Sequence, residues 1–94
     1  MRKLTHMQIA TTSLEDVTEV MRRAGTISAD VSVVVRTDGS AYWLAYIRNG
    51  MGPDEFIRTT SVIGETPRDV ARYVHGFVTA VYATVGDPGR KPIG

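Results

Sequence analysis

The chain has 94 residues, of which 43% are apolar and 22% are charged, with a formal net charge of +1 and no cysteine. This length fits one domain, and this composition excludes a disordered chain and a membrane-embedded protein. The absence of cysteine excludes disulfides and thiolate metal sites and fits a reducing, cytoplasmic setting. The N-terminus has no continuous apolar segment, so we expect no secretory signal and no membrane partner.

The first predicted helix covers "TTSLEDVTEVMRRAG", residues 11–25. Thr12 and Glu15 have the spacing of a capping box, and apolar residues recur at helical spacing from Leu14 onward. Gly25 is a typical helix stop. The preceding "LTHMQIA" predicts a short N-terminal strand.

Three strands are predicted next. The first runs from about Asp30 to Thr37, the second is "AYWLAYIRNG", and the third is "DEFIRTTSVIG" after a loop rich in turn-forming residues. Three consecutive strands joined by short loops form an antiparallel sheet without crossovers.

The last helix is predicted over "ETPRDVARYVHGFVTAVYATVG", with Thr66 as N-cap, Pro67 in the first turn and Gly86 at the end. Gly76 and Ala80 give this helix a strip of small residues. The fold class is therefore α+β, in the order α-β-β-β-α, with both helices packed on one face of the sheet and a fourth strand if "LTHMQIA" forms one. The predicted domain covers residues 1–86, and residues 87–94 form a tail rich in Pro and Gly.

The turn between the first two strands decides which side chains face the helices. A two-residue turn at Asp38 and Gly39 would place the following beside the valines of the first strand: Tyr42, Leu44 and Tyr46. A three-residue loop ending at Gly39 would instead turn these toward the core: Trp43, Ala45 and Ile47. We favour the three-residue loop, because it buries Trp and Ile and exposes tyrosines, whose hydroxyls need polar partners.

The favoured register predicts an open sheet face rich in arginine and aromatic residues. Its candidate partner-binding residues are Arg36, Tyr42, Tyr46, Arg48, Phe56 and Arg58. Arg and Tyr are enriched at binding hot spots, so we expect this face to contact a larger protein or ribonucleoprotein complex. Nucleic acid stays open as a partner, because a guanidinium pairs with carboxylate and with phosphate.

Catalytic and metal-binding signatures are missing from the sequence. Neither His6 nor His75 has a partner at ligand spacing, and no nucleophile motif or phosphate loop is present. We therefore expect a non-enzymatic protein with no catalytic residue, no metal and no cofactor, present as a monomer or homodimer.

Three resemblances bear on function. The α-β-β-β-α order resembles double-stranded-RNA-binding domains, with Arg68 and Arg72 as the bases that open the last helix, "TPRDVARY". From "VVVRTDGSAYWLAYI" to "GETPRDVARYV" the chain is similar to the βββα pattern of HicB-type antitoxins. Its size, single domain and lack of catalytic groups resemble the anti-CRISPR inhibitors carried by phages. These resemblances imply an inhibitor of a bacterial defence complex or, as the alternative, a nucleic-acid-binding protein or antitoxin.

Overall fold

The computed structural model describes residues 4–85, so Gly86 and the predicted tail 87–94 lie outside the described residues. The elements in chain order are α1 (His6–Arg23), β1 (Val31–Thr37), β2 (Tyr42–Arg48), β3 (Arg58–Thr59) and α2 (Pro67–Val85). The strands form one antiparallel sheet in the order β1-β2-β3. The predicted α+β fold, with helices packing on the sheet, is confirmed.

Helix α1 begins earlier than the sequence predicted. The Gln8 N–H donates to Thr5 Oγ1 at 3.1 Å, and the Thr5 N–H donates to Gln8 Oε1 at 2.8 Å. This capping box starts the helix at His6, so the predicted N-terminal strand and the predicted cap at Thr12 are wrong. The physical reason is that Ala10 and Leu14 are four residues apart, which extends the apolar stripe of the helix upstream of Thr12.

The end of α1 is as predicted. Gly25 has a φ of 77°, and its N–H donates to the Arg22 carbonyl at 3.1 Å. The Thr26 N–H donates to the Met21 carbonyl at 2.9 Å, which completes a Schellman motif. The chain therefore turns sharply at Gly25 and returns toward β1.

Both helices contribute to one core on one face of the sheet. Its buried members are Ala10, Leu14, Val17 and Met21 of α1, Val31 and Val33 of β1, Leu44 and Tyr46 of β2, and Val70 and Val74 of α2. Helix α1 also covers the free edge of β1. Arg22 Nε donates to the Val31 carbonyl at 2.9 Å, and the Val33 N–H donates to Thr18 Oγ1 at 3.3 Å. These contacts satisfy edge groups that would otherwise be open to pairing.

The hairpin register differs from the favoured prediction. Thr37 pairs with Tyr42, so the loop has four residues, 38–41, rather than three. Asp38 Oδ1 accepts hydrogen bonds from the Ser40 N–H at 2.9 Å and the Ala41 N–H at 3.0 Å, which closes this longer loop. A four-residue loop puts the same residues of β2 beside the valines of β1 as a two-residue loop does, because the two loops differ by an even number of residues. The side chains of β2 therefore point as the two-residue alternative predicted.

The consequence is that Leu44 and Tyr46 face the helices, whereas Trp43 lies on the opposite face and is half-buried. The prediction that Trp43, Ala45 and Ile47 join the core is therefore wrong as to the face. Ala45 is nevertheless fully buried, but it is not a member of the cluster between the sheet and the helices.

Strand β3 is short because its pairing with β2 is interrupted at Thr60. The Leu44 N–H donates to Thr60 Oγ1 at 3.0 Å, a side-chain oxygen in place of a backbone carbonyl. Pairing resumes where Tyr42 bridges Gly64. A Cβ on Gly64 would overlap the Cβ of Asp69, so glycine is required where the chain passes the start of α2. A Cβ on Gly76 would meet no atom within 4 Å.

Helix α2 starts as predicted. The Asp69 N–H donates to Thr66 Oγ1 at 3.2 Å, and Pro67 occupies the first helical position. Val70 and Val74 are fully buried against α1 and the sheet. Within residues 4–85, neither helix is both long and apolar enough to cross a bilayer.

Candidate partner-binding groove

A groove of about 680 Å³ lies between the α1–β1 connection and the end of the sheet. We call it the arginine groove. It is lined by residues 25–28, Val31, Tyr46, Arg48, Ile57 and Arg58. It therefore combines two guanidinium groups with an apolar and aromatic floor.

Arg58 is held over the ring of Tyr46. Its guanidinium carbon lies 4.2 Å from the ring centre, which is a cation–π contact. The pairing of β2 with β3 creates this contact, because Tyr46 and Arg58 are directly opposite each other. Tyr46 is buried, so its ring is a fixed platform for a side chain that is itself exposed.

Arg48 ends β2 and forms an ion pair with Asp30. The Nε of Arg48 lies 3.1 Å from Oδ2 of Asp30, and both side chains are about half exposed. The Asn49 N–H donates to the Asp30 carbonyl at 2.8 Å, so the backbone of Asp30 is fixed beside the end of β2. The hairpin register thus places this carboxylate next to the groove.

The wall opposite the sheet is the α1–β1 connection. The Schellman motif at Gly25 sets the path of residues 25–28, and the Val31 N–H donates to the Ser28 carbonyl at 3.1 Å. Ile27 is half-buried and packs against the core, whereas Ile57 is 44% exposed on the β3 side. The groove therefore has an apolar wall within reach of its two arginines.

Three of the six predicted binding residues meet in this groove: Tyr46, Arg48 and Arg58. The prediction that all six share one open face is wrong. Arg36 is opposite Trp43, on the face away from the helices. Its guanidinium donates to the Glu55 carbonyl at 2.6 Å and to the Gly52 carbonyl at 3.2 Å, so its donors hold the β2–β3 loop.

The remaining two predicted residues also lie apart from the groove lining. Tyr42 is half-buried against the core at the other end of β2. Phe56 is 52% exposed and is not among the residues that line the groove.

Sequence reasoning missed Asp30 and Ile57 as members of this site. The observed register would have identified Asp30, because pairing Val31 with Arg48 brings the residue before β1 beside the end of β2. Ile57 was predicted to face the core. It lines the groove instead because the Ile57 N–H donates to the Tyr46 carbonyl at 2.7 Å, which holds it at the rim.

Two carboxyl groups outside the groove have a lowered pKa. Hydrogen bonds from the backbone N–H and the hydroxyl of Ser40 hold the pKa of Asp38 below its ordinary value of 3.8. A hydrogen bond with Thr66 does the same for the pKa of Asp69. Both groups stabilise turns, at the hairpin and at the start of α2.

Within residues 4–85, no three side chains of His, Cys, Asp or Glu are placed to hold a metal ion together. Comparison of the chain with protein-family models, with curated proteins and with solved structures found no match. The resemblances to inhibitors, antitoxins and RNA-binding domains therefore stay predictions.

Proposed function

We propose that this chain is a non-enzymatic binding protein that docks on a larger protein or ribonucleoprotein complex through the arginine groove. The observation that carries the proposal is the fixed stack of Arg58 on Tyr46 beside Arg48. Arg and Tyr dominate binding hot spots because they combine a large contact area with directed hydrogen bonds. A side chain that is already ordered also loses less conformational entropy on binding.

Charge favours a protein surface over nucleic acid as the contact. The chain has eleven Lys and Arg against ten Asp and Glu, so its formal net charge is only +1. Glu19 Oε2 lies 3.6 Å from Arg22 Nη1 and its Oε1 lies 3.4 Å from Arg23 Nε, which offsets part of the positive charge at the end of α1. A nucleic acid backbone needs a longer track of cations than the two that line the groove, one of which is already paired with Asp30.

The action that we propose is inhibition. A small domain that docks in this way can block a surface that a larger complex uses. Following the resemblance in size and character, we propose a phage or mobile-element inhibitor of a cytoplasmic bacterial defence complex of the CRISPR type.

The test is affinity capture with charge-reversal variants. The groove variant carries Arg48→Glu and Arg58→Glu. The control carries Arg68→Glu and Arg72→Glu, which make the same change in charge on exposed residues of α2 that do not line the groove. Both variants should keep the helical circular dichroism of the wild type, because the substitutions remove only surface interactions worth about 1 kcal/mol each.

We expect the wild type and the control to capture the same partner and the groove variant to lose it, with binding weakened by about 30-fold or more, equivalent to about 2 kcal/mol. Retention of the partner by the groove variant would exclude the groove. Capture of nucleic acid, with affinity that falls about tenfold between about 50 mM and about 200 mM salt, would favour the antitoxin or nucleic-acid alternative.

A further inference from the structure

We infer that the ligand of the arginine groove is a carboxylate-bearing segment of a partner protein, and that Asp30 holds the place of that carboxylate on Arg48 in the free protein. This inference rests on the proposed function and names the chemistry of the partner. The two arginines of the groove differ in their ion pairing. Arg48 is paired with a carboxylate, whereas Arg58 has no ion-pair partner among the residues that the structure describes.

The stacking of Arg58 favours a planar anion. The Arg58 guanidinium carbon lies 4.2 Å from the centre of the Tyr46 ring. A guanidinium that stacks on a ring keeps the N–H donors at its edge available to a ligand. Those donors match the two oxygens of a carboxylate in a bidentate arrangement. Tyr46 therefore orients Arg58 for a ligand that approaches from the groove.

The ion pair between Arg48 and Asp30 shows that a carboxylate fits at this end of the groove. The pair is 54% exposed on the arginine side and 48% exposed on the aspartate side, so solvent screens it and its removal costs little. The Asp30 backbone stays bonded to Asn49, so its side chain can rotate away without moving β1. A second carboxylate can thus take its place on Arg48.

The rest of the groove requires an apolar group close to the anion. Ile57 is 44% exposed and lines the groove beside Arg58. A protein segment in which acidic and apolar residues adjoin offers both contacts. A nucleic acid fits less well, because its run of phosphates needs more cations than the two arginines that line the groove.

The test is a titration of isotope-labelled protein with two peptides, followed by the arginine side-chain NMR signals. The probe is acetyl-Leu-Glu-Glu-Leu-amide, and its uncharged counterpart has Gln in place of Glu. Asp30→Asn removes the internal carboxylate. Asp16→Asn is the matched control, since it makes the same charge change on the exposed side of α1, away from the groove lining.

We expect the acidic peptide to shift the Arg48 and Arg58 signals and the Gln peptide to leave them unchanged. Asp30→Asn should tighten binding of the acidic peptide by about two- to fivefold, the worth of an exposed pair, and Asp16→Asn should not. Equal affinity for Asp30→Asn and the wild type would overturn the inference, as would the absence of binding to every variant. Tighter binding of a short oligothymidylate than of the peptide would assign the groove to nucleic acid instead. The capture experiment tests the proposed function separately, because it depends on Arg48 and Arg58 and not on Asp30.

Discussion

Gly25 has a positive φ that a side chain opposes, and no atom lies within 4 Å of the position that its Cβ would take. Gly25→Ala should therefore destabilise the protein through backbone strain alone, by about 1–2 kcal/mol. Gly76 is the matched control, because it is helical and its Cβ position is also open. Gly76→Ala should stabilise the protein by about 0.5–1 kcal/mol. Urea unfolding measures both, and a change of the same sign in the two variants would contradict the Schellman turn that forms the groove wall.

Asp38 links stability to pH. Its pKa is lowered in the folded protein by the hydrogen bonds from Ser40 and Ala41, so the unfolded chain takes up its proton first as pH falls. The stabilisation is therefore present above pH 3.8, the ordinary value, and is lost as pH falls through the folded pKa; Asp69 acts in the same direction. Urea midpoints between about pH 2 and about pH 7 should fall only at the acid end. Asp38→Asn should weaken this acid dependence, and an unchanged profile in that variant would refute the role of the hairpin carboxylate.

Among the secondary-structure elements, α1 can be tested by two substitutions that distinguish the predicted cap at Thr12 from the observed cap at Thr5. Thr5→Ala should cost about 1 kcal/mol, because it removes the acceptor for the Gln8 N–H. Thr12→Ala should be neutral or slightly stabilising, since Thr12 is exposed in the middle of the helix and Ala is the better helix former. Thermal unfolding of the two variants decides between the caps, and a larger loss for Thr12→Ala would restore the sequence-based assignment.

The elements that were predicted well have local signals. Thr66 and Pro67 mark the start of α2, and Gly25 marks the end of α1, because each signal acts within one turn of the chain. The signal for the hairpin register is also local, but it is ambiguous. Asp-Gly is typical of shorter loops, whereas here the Asp38 carboxylate accepts hydrogen bonds from the N–H groups of Ser40 and Ala41 and closes a four-residue loop.

The difference between the predicted and the observed hairpin register explains which of the predicted binding residues line the groove. Tyr46, Arg48 and Arg58 meet because alternation along β2 and pairing with β3 put them on one side, whichever loop precedes β2. Arg36 stays on the face away from the helices, as predicted, whereas the four-residue loop puts Tyr42 and Tyr46 on the helix-covered face. Asp30 was missed for the same reason, since its place beside Arg48 follows from the pairing of β1 with β2.

At the scale of the whole molecule, the helices cover one face of the sheet and leave the arginine groove at its end. The groove is bounded by the turn at Gly25 after α1, by the end of β2, where Arg48 pairs with Asp30, and by the short β3, where Arg58 contacts Tyr46. A partner that fills it contacts three segments that are distant in the chain. Binding should therefore depend on the folded domain, and urea concentrations that unfold the domain should abolish capture.

Site-specific photo-crosslinking shows whether a partner docks in the arginine groove. A benzophenone amino acid replaces Ile57 at the groove rim in one variant and Tyr73 on α2 in the other, two positions that are 44% and 42% exposed. Because exposure is matched, a difference in crosslinking reports where the partner lies. The groove predicts that the captured partner crosslinks from position 57 and not from position 73. Crosslinking from position 73 alone would place the contact on α2 and contradict docking in the arginine groove.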